Sequence, residues 1–237
     1  MLEFIDVEQR YGKHTALDGI SVRVGRGERL ALVGPSGAGK TTFFRLAYGA
    51  FVPTSGKVLF DGTDFATLHG HALREARSRI AVVFQTHGLV ERLSVRANVL
   101  AGTFGKRSTI DALRCTFAPN GGETEAARSA LESVRLAERL RDRVFALSGG
   151  QRQRVAIARA VVQQAELVLA DEPAASLDPE LAREIVDLML ADSRARGTTL
   201  ICSLHQPQLA ESFDRVIRLD HGRVVSDEAA GTSLFSI

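Results

Sequence analysis

The sequence predicts an α/β protein: a parallel sheet covered by helices, joined to an antiparallel β subdomain and interrupted by a helical insertion. Three observations carry that prediction. Short apolar runs without alternation recur at residues 30–33, 80–84, 167–170 and 198–204, as strands buried on both faces require. The first sixty residues are rich in half-buried strand patterns instead. Helical patterns fill the intervals between the runs, and residues 88–147 hold no convincing strand.

Each element has its own local signal. Residues 2–10 are β-rich and partly alternating, and Ile20, Val22 and Val24 alternate cleanly, so an antiparallel pair opens the chain. The run at 30–33 precedes a glycine-rich loop and a helix expected over residues 40–47. Residues 56–60 followed by Asp61-Gly62 read as a strand entering a tight turn. Beyond the run at 80–84, helices are expected over residues 95–100 and 125–140, with Asn120-Gly121-Gly122 as a break. A helix capped by Ser148 runs to about Val162. After the run at 167–170 comes the clearest helix, residues 179–196. Asp178 caps it, Pro179 suits its first position and Gly197 its exit. Leu181, Ile185, Leu188 and Met189 share a face. The last run is 198–204, and residues 229–237 carry no pattern.

Composition narrows the classes. The chain has 237 residues, 45% hydrophobic and 24% charged, which excludes a disordered chain or a collagen and leaves room for a core. Its net charge of +2 makes no case for a nucleic-acid partner. The arginines at 139, 141, 143, 152 and 154 read as a solvated or interface face. Two cysteines make no disulfide framework, and Cys202 in its apolar run reads as a buried thiol. No apolar run approaches the ~18 residues of a membrane span, so any membrane role is expected through a partner. Residues 1–10 alternate and carry charges, unlike a secretory signal.

Gly34-Pro35-Ser36-Gly37-Ala38-Gly39-Lys40-Thr41 fits a phosphate-binding loop. The glycines let the backbone wrap a phosphate chain with its N–H groups turned inward. Lys40 brings a compact cation to the β- and γ-phosphates, Thr41 offers a hydroxyl to Mg²⁺, and the helix that follows, with Thr42 in its first turn, adds its positive end. Chance would supply about 0.004 such matches in this composition. The run at 167–170 ends in Asp171 and Glu172. A carboxylate at a buried strand's end suits Mg²⁺, and Glu172, one residue on, suits a base that polarises water. Ser148, Gly149, Gly150 and Gln151 open a helix whose N-terminus is a second anion site. His69 and His71 have no third ligand and are not read as a metal site.

With LSGGQ at 147–151 between GPSGAGKT and LVLADE, the chain resembles the nucleotide-binding subunits of ATP-binding cassette (ABC) transporters, over residues 2–228. The resemblance implies a single domain over 1–237. Residues 1–87 and 148–237 form the nucleotide-binding core with the antiparallel β subdomain, and 88–147 form the helical subdomain. It also implies roles for residues with no signal of their own. Tyr11 stacks on adenine. Gln85 contacts Mg²⁺ and water. Ser176-Leu177-Asp178 links the two sites of a dimer, and His205 contacts the γ-phosphate. Two copies pack head to tail, each ATP lying between residues 34–41 of one and 148–151 of the other. Catalysis then belongs to Lys40, Gln85, Glu172 and His205, and metal binding to Thr41, Gln85 and Asp171.

Residues 84–95, 98–102 and 204–206 further resemble the phosphonate importer branch, although Thr86-His87-Gly88 departs from its pattern. That branch works with a membrane permease and a substrate-binding protein, at the cytoplasmic face of the cell membrane. The competing readings are a cassette serving another transporter and a soluble cassette of DNA repair or translation. The first soluble type needs long heptad repeats and the second usually two cassettes, and neither feature is present.

Overall fold

The computed structural model describes residues 1–84, 87–175 and 177–229. The chain begins with β1 (Leu2–Tyr11), β2 (His14–Val24), β3 (Arg29–Val33), α1 (Lys40–Ala47), β4 (Ser55–Phe60), β5 (Thr63–Asp64), α2 (Gly70–Ser78) and β6 (Ile80–Val83). Helices follow: α3 (Val95–Leu100), α4 (Thr109–Phe117), α5 (Gly121–Ser133) and α6 (Gly149–Val162), with 3₁₀ turns between them. It then passes through β7 (Leu167–Ala170), α7 (Pro179–Arg196), β8 (Thr199–Leu204), the short α8 (Pro207–Ala210), β9 (Arg215–Asp220) and β10 (Arg223–Ala229).

Two sheets result. The smaller is antiparallel, in the order β2-β1-β4-β5, and the larger has the order β10-β9-β3-β8-β7-β6. In the larger sheet β9, β3, β8, β7 and β6 are parallel, and only β10 runs against its neighbour.

Why the apolar runs do not alternate is visible in the packing. Leu30, Leu32, Leu167, Leu169 and Ile201 point to one face, where they meet Leu2, Phe4 and Val58 of the small sheet and Phe43 of α1. Ala31, Val168, Ala170, Leu200 and Cys202 point to the other, against α3, α5, α6 and α7. Both faces are dry, so neither tolerates polar residues. Phe4 and Phe43 stack with ring centroids 4.2 Å apart, holding the small sheet onto α1.

Most local expectations agree with the structure. Asp61 and Gly62 both take positive φ (50° and 79°) between the paired Phe60 and Thr63, a two-residue hairpin turn. Asp178 accepts a hydrogen bond from the Leu181 N–H at 3.0 Å and caps α7. The apolar face of α7 is rotated from the expected one: Ala182, Ile185, Val186 and Met189 are buried, while Leu181 and Leu188 are half-buried. The helical stretch does break at this point, between Phe117 and Asn120, but Gly121 and Gly122 lie inside α5, which Asn120 caps. Asn120 Oδ1 accepts from the Glu123 N–H, and the Glu123 carboxylate accepts from the Asn120 N–H, both at 2.8 Å. The helix expected to reach Leu140 stops at Ser133, where Arg135 turns left-handed with φ 55°. β9, β10 and α2 have no counterpart among the expectations. The expected tail beyond Ala229 lies outside the described residues.

Candidate functional site

Because β3, β6, β7 and β8 are parallel, their carboxyl ends share one edge, and the loops leaving that edge converge. The loop after β3 returns as α1. Gly34 lies so close to the β9 strand that a Cβ would sit 2.2 Å from the Leu219 carbonyl oxygen. At Gly39, φ is 103° and a Cβ would lie 2.5 Å from the Ala16 carbonyl oxygen. These two positions force the loop to fold over its own lysine. Lys40 is buried, and its Nζ donates to the carbonyls of Gly34 at 2.8 Å and Pro35 at 3.1 Å.

Facing the loop is the end of β7. The Asp171 N–H donates to Val83 of β6 at 2.9 Å, which fixes the carboxylate between the two strand ends. The Ser203 hydroxyl of β8 donates to Asp171 Oδ1 at 2.9 Å, and the Thr41 hydroxyl lies beside the same carboxylate. Burial pushes the Asp171 carboxyl above its ordinary value, while the two hydroxyls pull it down. Ser203 also accepts from the Glu172 N–H at 2.7 Å. Glu172 takes a left-handed backbone, φ 51°, which turns its side chain away from that of Asp171. Its Oε1 lies 2.6 Å from His205 Nε2 and 3.7 Å from Lys40 Nζ.

A cleft of about 270 Å³ runs along this arrangement, lined by Tyr11, His14, Ser36, Gly37, Lys40, Thr41, Thr42 and Glu172 among others. Tyr11 is 45% exposed at its mouth, and Phe51 holds its ring edge-on at 6.2 Å. A second hollow lined by Glu172, Ala174, Ser203 and His205 adjoins it. The expected residues of the loop, Asp171, Glu172, His205 and Tyr11 thus come together. Ser148, Gly149, Gly150, Gln151 and Asp178 do not line the cleft. Ser148 Oγ accepts from the Gln151 N–H while Gln151 Oε1 accepts from the Ser148 N–H, so α6 begins with a closed capping box and an outward end. Gln85 and Ser176 lie outside the described residues. Ser203 was not among the expected site residues, yet it touches both carboxylate residues. A polar residue closing an apolar strand was the available signal.

The donor set at Asp171 is a carboxylate with a neighbouring hydroxyl, hard oxygens that fit Mg²⁺ rather than a soft metal. Among the described residues no three His, Cys, Asp or Glu gather into a metal cluster. A divalent ion here would draw its remaining ligands from phosphate and water. The lysine, the loop N–H groups and the start of α1 suit the phosphates of a nucleotide.

The comparisons with known proteins agree with this chemistry. The sequence profile described as "ABC transporter" matches residues 17–175. A Thiobacillus denitrificans protein called "Phosphonates import ATP-binding protein PhnC" is 45% identical over 213 residues, covering 90% of this chain and 80% of the relative. The protein of the same name from Bradyrhizobium diazoefficiens is 43% identical over 221 residues, covering 93% and 81%. Among solved structures, the dimeric ATP-binding cassette MJ0796 superposes with a TM-score of 0.86 at 29% identity, covering 98% of this chain and 100% of that one. The same cassette in a dimeric post-hydrolysis state, bound to ADP and Pi, gives 0.85 at 28%, with the same coverage.

Proposed function

The chain belongs to the ABC transporter family as an ATP-binding, ATP-hydrolysing subunit, and from that premise we propose that it powers phosphonate import through a separate membrane permease. The observation that carries the catalytic part is the Glu172–His205 contact at 2.6 Å, beside the buried Lys40. Phosphoryl transfer asks little covalent chemistry of a protein and much positioning. In this reading Lys40 and the loop N–H groups hold the phosphates and Tyr11 packs on the base. His205 holds Glu172 in place and reaches the γ-phosphate, and Glu172 Oε1 orients the attacking water and takes up its proton. Mg²⁺ would be held by Asp171 and Thr41, with Gln85, and would neutralise charge on the β- and γ-phosphates.

The outward start of α6 supports a second chain as the missing half of the site. Ser148, Gly149, Gly150 and Gln151, with Asp178, would close over the partner's ATP. The γ-phosphate then bridges two chains, so ATP closes the pair and hydrolysis reopens it. Residues 88–147 form the helical subdomain in this reading and dock the permease. A hollow of about 500 Å³ between α2 and the segment following α3 supports that surface, with Arg74, Arg77 and the 43% exposed Phe84 in its wall. No described helix is long and apolar enough to cross a membrane. In this reading the subunit works peripherally, at the cytoplasmic face of the cell membrane, and a substrate-binding protein delivers the phosphonate to the permease.

Purification of Glu172→Gln from native membranes with ATP tests the reading. The variant is expected to bind ATP, hold the closed pair and carry a polytopic permease with a phosphonate-binding companion. Hydrolysis near the wild-type rate would overturn the role of Glu172. Recovery with soluble or nucleic-acid partners alone would overturn transport.

A further inference from the structure

The hairpin of β9 and β10 lies against the phosphate loop, and its turn grips that loop through the backbone. The Gly222 N–H donates to the Ala38 carbonyl at 3.1 Å, while the Gly222 carbonyl accepts from the Asp18 N–H of β2 at 2.8 Å. A peptide unit is planar and trans, so its C=O and N–H point in opposite directions. Turning the Ala38 carbonyl towards the hairpin therefore turns the Gly39 N–H away from it, and Gly39 lines the cleft. A donor of the cleft takes its direction from a segment more than a hundred residues further along the chain.

The approach is shaped from three sides. Ala16 is the extra residue of a bulge in β2, between the pairs Gln9–Leu17 and Arg10–Thr15. Its carbonyl oxygen is pressed between two glycines: a Cβ would lie 2.5 Å from it at Gly39 and 2.8 Å from it at Gly222. The turn itself is left-handed at both central positions, with φ 45° at His221 and 76° at Gly222. Just beyond it, Arg223 donates to Asp18 Oδ2 through Nε at 2.8 Å and Nη2 at 2.6 Å. That pair is exposed, and exposed pairs add little to stability. Its value lies in its place, on the residue whose N–H holds Gly222. The far end of the hairpin is fastened separately. There Arg215 donates to the Arg23 carbonyl at 2.8 Å, to Glu28 at 3.0 Å and to Asp227 at 2.6 Å.

We propose that the His221-Gly222 turn, held on β2 by Arg223 and Asp18, is a positioning element of the nucleotide site that aims the Gly39 N–H at the phosphates. This rests on the nucleotide reading above. Loop N–H groups cradle the α- and β-phosphates, so the turn serves ADP and ATP alike. A donor aimed in advance needs no ordering when the ligand arrives, and that saving appears as affinity.

The experiment measures binding of Mg²⁺-ADP and a non-hydrolysable ATP analogue to the full chain by calorimetry, with melting temperatures alongside. Arg223→Ala is expected to weaken both ligands about threefold, within the reach of an exposed pair, while the melting temperature moves by about 2 °C or less. Gly222→Ala, whose Cβ must push the turn off Ala16, is expected to weaken both about tenfold or more. Arg223→Lys keeps the charge and is expected to bind as the wild type does. Arg215→Ala is expected to lower the melting temperature and leave ADP affinity unchanged. Unchanged ADP affinity in Arg223→Ala would overturn the proposal, whether or not Gly222→Ala folds. So would a loss confined to the ATP analogue, which would place the contact at the γ-phosphate. An equal loss in Arg215→Ala would reduce the turn to general support of the fold. A wild-type chain that bound neither ligand would defeat the nucleotide reading first, and the inference with it.

Discussion

Glu172 adopts a backbone that L-residues avoid, at a cost of about 1 kcal/mol. The return is directional, because adjacent carboxylates on one strand end would otherwise stand in an extended conformation. The left-handed turn lets Asp171 reach back to Thr41 and Ser203 while Glu172 reaches His205. His205→Ala is therefore expected to lower ATP turnover about 10²–10³-fold, as loss of one preorganised donor does. ATP affinity should stay near wild type, and steady-state kinetics with a binding titration separate the two. Lys40, Thr41 and Asp171 were legible in the sequence because a phosphate chain demands fixed chemistry at fixed spacing. Ser203 was not. One serine in an apolar run is a weak signal, and it gains a role only once β7 and β8 are known to be neighbours. Tyr11, Gln85 and His205 had no signal beyond family resemblance.

At the scale of elements, α5 shows how a local rule is reinforced at long range. Its capping glutamate, Glu123, is buried, and Arg114 and Arg107 both donate to its carboxylate. The hydrogen bonds from Arg114, with those from the Asn120 N–H and Arg107, overcome burial and hold its carboxyl down at about 2, from an ordinary 4.5. A depressed carboxyl stabilises the fold above its unfolded value and loses that contribution as pH falls through its folded value. Glu123→Gln is thus expected to lose about 2 kcal/mol at pH 7, with the surface-exposed arginines discounted for screening. That difference from wild type should shrink as pH drops from 4.5 towards 2, which urea unfolding at several pH values would register. The Asn120-Gly121-Gly122 signal was visible as a break between helices, but not as a helix start, because a capping box is distinguished from a loop only by the partner at Glu123. β9 and β10 escaped for a different reason. Their pairing turns on His221-Gly222, both at positive φ, between short strands in a charged stretch.

For the whole molecule, the apolar runs revealed that a covered parallel sheet exists but not its order. The arrangement β10-β9-β3-β8-β7-β6 joins strands far apart in the chain, and no local pattern records that. The order matters, since it brings β7 beside both β6 and β8 and so assembles Asp171, Ser203 and Val83. The small antiparallel sheet was legible as strands, while its seat on α1 through Phe4 and Phe43 was not. Arg79 fastens that seat from another side, by ion pairs to Asp61 of the hairpin turn and Glu166 ahead of β7.

One feature of the folded chain also bears on how it behaves in a tube. The start of α6 faces away from the cleft, so in the proposed paired arrangement a lone molecule would carry half of two sites and the whole of none. Its turnover would then obey mass action. Dilution should silence the purified chain, with specific activity rising in proportion to protein concentration and then levelling off as pairs saturate. A rate per chain independent of concentration would mean that each cleft works alone. Inside a membrane complex the permease would act as a tether, replacing bulk concentration by a fixed local one. Activity would then cease to depend on how many copies the cell makes and would follow how many are docked.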